Sequence, residues 1–225
     1  MITHSTDGRA DATRRQILRA AAHQFARRAY HDVSLDEILA EAKLTKGAMY
    51  FHFRSKHALA AAIVDKHINV ATVAVEDVLT RGLSGLDTLV DFSYLIAVQD
   101  IKTDLVRAAL NLIESDGRSD GSRETVLDSW IKTFAGVVEQ AIREGDIDAR
   151  CDPQDVGRLM VSLHIGLRNT SNLDQPERFL LDLEKCWALI LTGILRPDRV
   201  DYFREFLRRR AVLAIKAVST VADSG

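Results

Sequence analysis

The first 152 residues contain no proline; the three that occur are Pro153, Pro176 and Pro197. A proline inside a helix removes a hydrogen bond and clashes with the preceding turn, so its absence leaves most of the chain free to run as helix. The apolar pattern agrees, because it recurs at helical spacing and nowhere alternates for long in the manner of a strand. Ile17, Leu18, Ala21 and Phe25 make one apolar stripe, while Arg14, Arg15, Arg19 and Arg27 lie on the other face. The expected fold class is all-α.

Local signals divide the first part into short elements. In Ser34-Leu35-Asp36-Glu37 the serine can cap a helix and Glu37 can reach back to the serine N–H, forming a capping box. Leu35, Ile38, Leu39 and Ala42 continue that helix until Lys43-Leu44-Thr45 interrupt it, and Thr45 is a good cap for a new one starting at Lys46. Two short helices joined by so tight a turn make a helix-turn-helix. Ser55 then caps a fourth helix, from Lys56 through Leu59, Ala62, Ile63 and Lys66 toward Leu79. Beyond the RGLSG break at 81–85, longer amphipathic helices are expected near 86–99, 101–114, 123–144, 153–169, 176–195 and 199–218, with SDGRSDGS at 115–122 as a second break. Asp152-Pro153 supplies a cap and a first-turn proline. This gives a head over 1–56, an N-terminal three-helix domain, joined by the shared fourth helix to a larger helical domain over 57–225.

At 225 residues and 47% hydrophobic content the chain can bury a sizeable core. No apolar run reaches the ~18 residues of a membrane span and no signal segment opens the chain, so a cytoplasmic protein without a membrane partner is expected. The net charge of −2 is unevenly spread: residues 1–66 hold 11 Lys and Arg against 7 Asp and Glu, a net +4, which leaves −6 on the rest. A basic head on an acidic body suits an anionic partner that meets only the head. Cys151 and Cys186 have no CxxC partner and no His cluster nearby, so neither a metal site, a disulfide nor a cofactor is expected. His52, His57, His67, His164 and Cys151 fall in no catalytic order and no phosphate-cradling glycine loop is present, which argues against an enzyme.

TKGAMYFHF, residues 45–53, carries the chemistry. At 100° per residue, Lys46, Gly47, Tyr50 and Phe51 share one broad face, while Ala48 and Met49 turn toward the first two helices. That outward face offers a lysine for base edges or phosphates, a glycine that admits close backbone approach, and aromatics for thymine methyls or phosphate. His52 closes the helix, and Lys56 with the N–H groups starting the next helix can hold a phosphate oxygen. The candidate DNA-binding set is Ser34, Thr45, Lys46, Gly47, Tyr50, Phe51, His52 and Lys56. Two other readings stand beside it: a packed three-helix knot in which Tyr50 and His52 merely cover apolar surface, and a dimeric helical adaptor that binds protein rather than DNA.

The stretch SLDEILAEAKLTKGAMYFHFRSKHALAAAI resembles the DNA-binding signature of the TetR family of bacterial transcriptional repressors, in Tyr50, His52, Phe53, Lys56 and Leu59. Lys43 departs from it, since the family commonly has glycine there for a left-handed backbone; the lysine either strains the turn or adds a phosphate contact. TKGAMYFHF, Trp130, GDID at 145–148 and Trp187 further resemble the γ-butyrolactone autoregulator receptors within that family. The resemblance implies a ligand-responsive homodimer, released from a palindromic double-stranded DNA operator by a small-molecule effector. It places Trp130 in the ligand pocket, with ordinary core packing as the other reading of that indole. Few charges interrupt the central helices, which favours an uncharged or mostly apolar ligand. The helices near 153–169 and 176–195 carry Val156, Leu159, Met160, Leu163, Ile165, Leu167 and Phe179, Leu180, Leu183, Trp187, Ile190, Leu191, Ile194. Pairing with a second copy would bury such an excess; burial within one chain is the alternative.

Overall fold

The computed structural model describes residues 4–115 and 122–222, so most of the expected 115–122 break lies outside the described residues. Among the described residues ten α-helices follow one another: α1 His4–Phe25, α2 Leu35–Ala42, α3 Lys46–His52, α4 Lys56–Leu79, α5 Gly85–Lys102, α6 Asp104–Ser115, α7 Ser122–Arg143, α8 Pro153–Thr170, α9 Pro176–Ile194 and α10 Val200–Ala222. The described residues contain no strand, only an isolated antiparallel bridge between Ile147 and Leu195. Two short 3-10 turns, Tyr30–Asp32 and Pro197–Arg199, were not legible from the apolar pattern.

Packing groups the helices into two compact units. The first draws its described residues from Met1–Val73 and Thr103–Glu124, the second from Ala74–Lys102 and Thr125–Gly225. The head expected over 1–56 lies inside the first unit, which continues along α4 and also takes in α6. Its core is built from Ile17, Ala21 and Phe25 of α1, Ile38 and Ala42 of α2, Met49 of α3, Leu59 and Ile63 of α4, and Ala108, Ala109 and Leu112 of α6. Arg14, Arg15, Arg19 and Arg27 stay exposed, as the stripe requires. Small residues let α6 lie close on α1, and the Asn111 amide donates to the carbonyls of Phe25 (3.0 Å) and Ala26 (3.2 Å). Those carbonyls belong to the end of α1, where no intrahelical donor remains.

The second unit packs α5, α7, α8, α9 and α10 around Phe92, Phe179, Trp187, Leu191 and Phe203. Two glycines set how closely its helices approach. A Cβ on Gly85 would stand 2.4 Å from the Ala141 nitrogen and 2.8 Å from the Val137 carbonyl, both backbone atoms of α7; one on Gly157 would stand 2.7 Å from the Ile131 carbonyl. The GDID segment is a clip in this unit: Gly145 takes φ +80°, Asp146 is buried against Arg199 (2.6 Å), and Asp148 N–H donates to the Ile194 carbonyl (2.9 Å). Two further ion pairs lie inside it, Arg210 with Asp91 and Arg168 with Asp100, the latter linking α8 to a fully buried carboxylate on α5.

Of the two readings left open for the apolar residues on α8 and α9, burial within the chain accounts for most of them, because α9 lies along α10; Leu159, Leu181 and Leu189 are the large ones left exposed there. One sequence expectation needs correction: α4 does reach the length and composition of a membrane span, with a mean hydropathy of 1.4 over 18 residues. Its Leu59 and Ile63 nevertheless serve the first core and its Val78 the second.

Candidate nucleic-acid interface

Local capping holds α2 and α3 in register. Ser34 Oγ accepts from Glu37 N–H (3.2 Å) while Glu37 Oε2 accepts from Ser34 N–H (2.7 Å), which completes the capping box. Arg28 closes on the other carboxylate oxygen of Glu37 at 2.7 Å. This guanidinium, helped by the Ser34 N–H, holds the Glu37 carboxyl down at about 2. At the other end of α2, Lys43 adopts a left-handed conformation, φ 51° and ψ 43°, and its N–H returns to Ala40 and Leu39. The turn thus keeps the geometry for which glycine is suited, with a lysine in place. Thr45 Oγ1 then accepts from Ala48 N–H (3.3 Å) and starts α3. Ser34 and Thr45 both use an oxygen lone pair for capping, and each retains a hydroxyl proton to donate outward.

The faces of α3 divide as the 100° rotation requires. Met49 is fully buried and Phe53, just past the helix, nearly so, whereas Tyr50 is 55% and Phe51 79% exposed. Gly47 is exposed, and a Cβ there would meet nothing nearer than Thr45 Oγ1 at 3.9 Å. The fold itself has room for a side chain at 47, so the glycine keeps the outer surface low rather than relieving an internal clash. His52 is half-buried with its ring edge-on to Phe51 at 5.0 Å. Lys46 reaches Asp36 Oδ1 at 2.8 Å, and this partner raises its pKa. Ser34, Leu35, Asp36, Leu39, Lys46, Met49 and Tyr50 line a cleft of about 170 Å³ between α2 and α3.

Lys56 is placed differently from the sequence expectation. Its ammonium donates to the carbonyls of Tyr30 (2.6 Å) and Val33 (2.7 Å) and sits 4.1 Å from the centre of the Tyr30 ring. The cation ties the turn before α2 to the start of α4 rather than standing out for phosphate. Charged hydrogen bonds of this kind contribute about 1.5–3 kcal/mol, so Lys56→Ala is expected to lower unfolding stability by about 2 kcal/mol. Denaturant unfolding followed by circular dichroism would check this, and a change below about 0.5 kcal/mol would contradict the tie.

Sequence reasoning missed the Asp36–Lys46 and Arg28–Glu37 pairs and Arg14, whose guanidinium lies 5.2 Å from the Phe53 ring centre. In the second unit Trp130 is only partly buried at the margin of the core. Trp187 is fully buried there, and its indole N–H, like the buried Tyr94 hydroxyl, has no hydrogen-bond partner among the described residues. Burial, and then the Glu184 carboxylate, push the Tyr94 hydroxyl well above its usual pKa, so it stays a donor. Buried donors without acceptors are uncommon and call for an explanation.

Comparison with known proteins agrees with this geometry. Residues 17–63 match the family model described as bacterial regulatory proteins, tetR family. The chain is 30% identical over 197 residues to the A-factor receptor protein of Streptomyces griseus, covering 87% of this chain and 68% of that protein. A crystal structure of a gamma-butyrolactone receptor (ArpA-like protein) superposes with a TM-score of 0.79 at 28% identity, over 90% of this chain and 98% of that one. CprB from Streptomyces coelicolor, solved in complex with its biological operator sequence, gives 0.78 at 28% identity, over 89% and 97%. With an all-helical fold, a capped helix-turn-helix and these relatives, the chain belongs to the tetR family of bacterial regulatory proteins.

Proposed function

We propose that the protein is a ligand-responsive, sequence-specific DNA-binding regulator, a cytoplasmic homodimer that represses from a palindromic operator until a small molecule binds its C-terminal part. In this reading residues 1–56 carry the DNA-reading head and 57–225 the ligand-binding and dimerisation body. The observation that carries it is the outer face of α3: two aromatics and a lysine held in solvent beside a glycine the fold does not need, over a fully buried Met49. A helix that served only its own core would not keep Tyr50 and Phe51 so exposed. CprB, solved with its operator, and the A-factor receptor support the assignment of both partners.

Lys46, Gly47, Tyr50 and Phe51 would enter the major groove, with Ser34, Thr45 and His52 beside them at the edges. A two-fold dimer places two such helices on one side of the duplex, with half-sites about 34 Å or somewhat more apart. For the effector, the Trp187 N–H and Tyr94 O–H are donors that an uncharged ligand with acceptor oxygens would satisfy, and Trp130 at the core margin would offer it an apolar wall. Any ligand that weakens DNA binding must be weakened by DNA to the same factor.

The test uses a duplex recovered by selecting bound sequences from a random pool. Lys46→Ala and Tyr50→Phe should each weaken binding of the recovered duplex about tenfold or more in anisotropy titrations, without shifting thermal unfolding. Unimpaired binding by both variants would remove α3 from the groove.

A further inference from the structure

The pairing of Asp36 with Lys46 carries one more step. Both side chains are largely in solvent, 69% and 66% exposed, and an exposed pair of this kind adds little to stability. Its acidic neighbour Glu37 is committed to the capping box and to Arg28, whereas Asp36 is paired with Lys46, at 2.8 Å to Oδ1 and 3.2 Å to Oδ2. A carboxylate on the surface that meets a polyanion is unfavourable unless it accepts a hydrogen bond there. Here it stands in one cleft with Ser34 and Tyr50, on the side of α3 that would face the groove.

We propose that Asp36 and Lys46 act as one unit that reads a G·C base pair in each half-site; this rests on the DNA-binding function proposed above. The major-groove edge of that pair presents the guanine N7 and O6 acceptors beside the cytosine N4 amino donor. O6 and N4 are themselves hydrogen-bonded and so stand about 2.9 Å apart. The protein offers the complement at matching spacing: an ammonium and a carboxylate oxygen 2.8 Å apart. Lys46 donates to O6 and N7, and Asp36 accepts the free N4 hydrogen. A T·A pair keeps the central acceptor and donor order but puts a methyl group where the guanine has N7, so the ammonium loses an acceptor. C·G and A·T pairs reverse the central order and set the carboxylate against an oxygen. Asp36 also lowers the attraction of the head for arbitrary duplex, because it keeps Lys46 neutralised until the right edge is present.

The experiment uses the full-length chain and the palindromic duplex recovered from a random pool. Each base pair of one half-site is replaced in turn, with the change mirrored in the other half-site, and N4-methylcytosine is substituted at each cytosine. The wild-type protein is expected to lose about tenfold or more affinity at one G·C pair, both for the A·T replacement and for N4-methylcytosine. Asp36→Ala should bind that N4-methylated duplex as well as the unmodified one. It should also hold an unrelated duplex more tightly, with a salt slope steeper by about one phosphate contact. Asp36→Asn, which keeps an acceptor but no charge, should retain part of the base preference while gaining the same affinity for unrelated duplex. If wild type and Asp36→Ala show identical preference at every position, Asp36 reads nothing and the proposal fails while the regulator reading stands. If the wild-type protein recovers no palindrome, the regulator reading itself fails.

Discussion

Asp100→Asn is expected to cost the C-terminal unit about 3–5 kcal/mol. The carboxylate is fully buried on α5 and holds the guanidinium of Arg168, which is itself almost fully buried on α8. Asparagine keeps the volume and removes the charge, so the variant takes the carboxylate away from a desolvated guanidinium, the case in which breaking a buried pair costs most. Both tryptophans of the chain, Trp130 and Trp187, belong to the second unit, so the urea midpoint of selectively excited tryptophan fluorescence reports that unit. Replacing the two partners together, as Asp100→Leu with Arg168→Met, should recover most of the loss, because two apolar groups of similar volume need no desolvation. Equal midpoints for wild type and Asp100→Asn would show that the pair is not desolvated at all.

A second large effect should appear on acidification, from His164. Its ring is 14% exposed, and its Nε2 lies 4.0 Å from Asp100 Oδ2, too far for a hydrogen bond. Burial, and then the Arg168 charge, lower its pKa to about 3 from an ordinary 6.5. Between these values the unfolded chain carries a proton on this ring that the folded chain does not. Stability therefore rises with pH across that window, by about 1.4 kcal/mol per unit, and is complete above pH 6.5. Going from pH 6.5 toward 4 should cost the wild type about 3 kcal/mol more than His164→Gln, which carries no such proton. Asp100 and Arg168 both lie beside the ring, and both remain in the variant, so the comparison isolates the imidazole. Parallel urea midpoints of the two proteins at pH 7, 5 and 4 would rule the mechanism out.

What the sequence could and could not disclose follows from the distance over which each interaction acts. The Ser34–Glu37 box, the Thr45 and Asp152 caps and the outward set on α3 are settled within four residues, and the structure forms each cap as read. The carbonyl acceptors of Lys56, on Tyr30 and Val33, lie 26 and 23 residues away and become its neighbours only after the turn folds, so local pattern does not show them. The partnership of Asp36 with Lys46 spans the helix-turn-helix bend in the same way. Periodicity leaves open whether the apolar excess on α8 and α9 meets a second copy or its own chain, because the burial that α10 provides depends on a chain reversal near Pro197. Trp130 stands out by resemblance, whereas the surroundings of the buried Trp187 donor are assembled from segments distant in the chain.

The seating of α6 on α1 also governs how this chain can be divided. A shortened gene product ending at Leu79 would include every residue of the helix-turn-helix and still strip the side of α1 covered by Ala108, Ala109 and Leu112. It would also free the Phe25 and Ala26 carbonyls that Asn111 holds. The first compact unit is therefore discontinuous in the gene: its last wall is encoded after α5, and modular exchange of such units between relatives must carry that distant helix along.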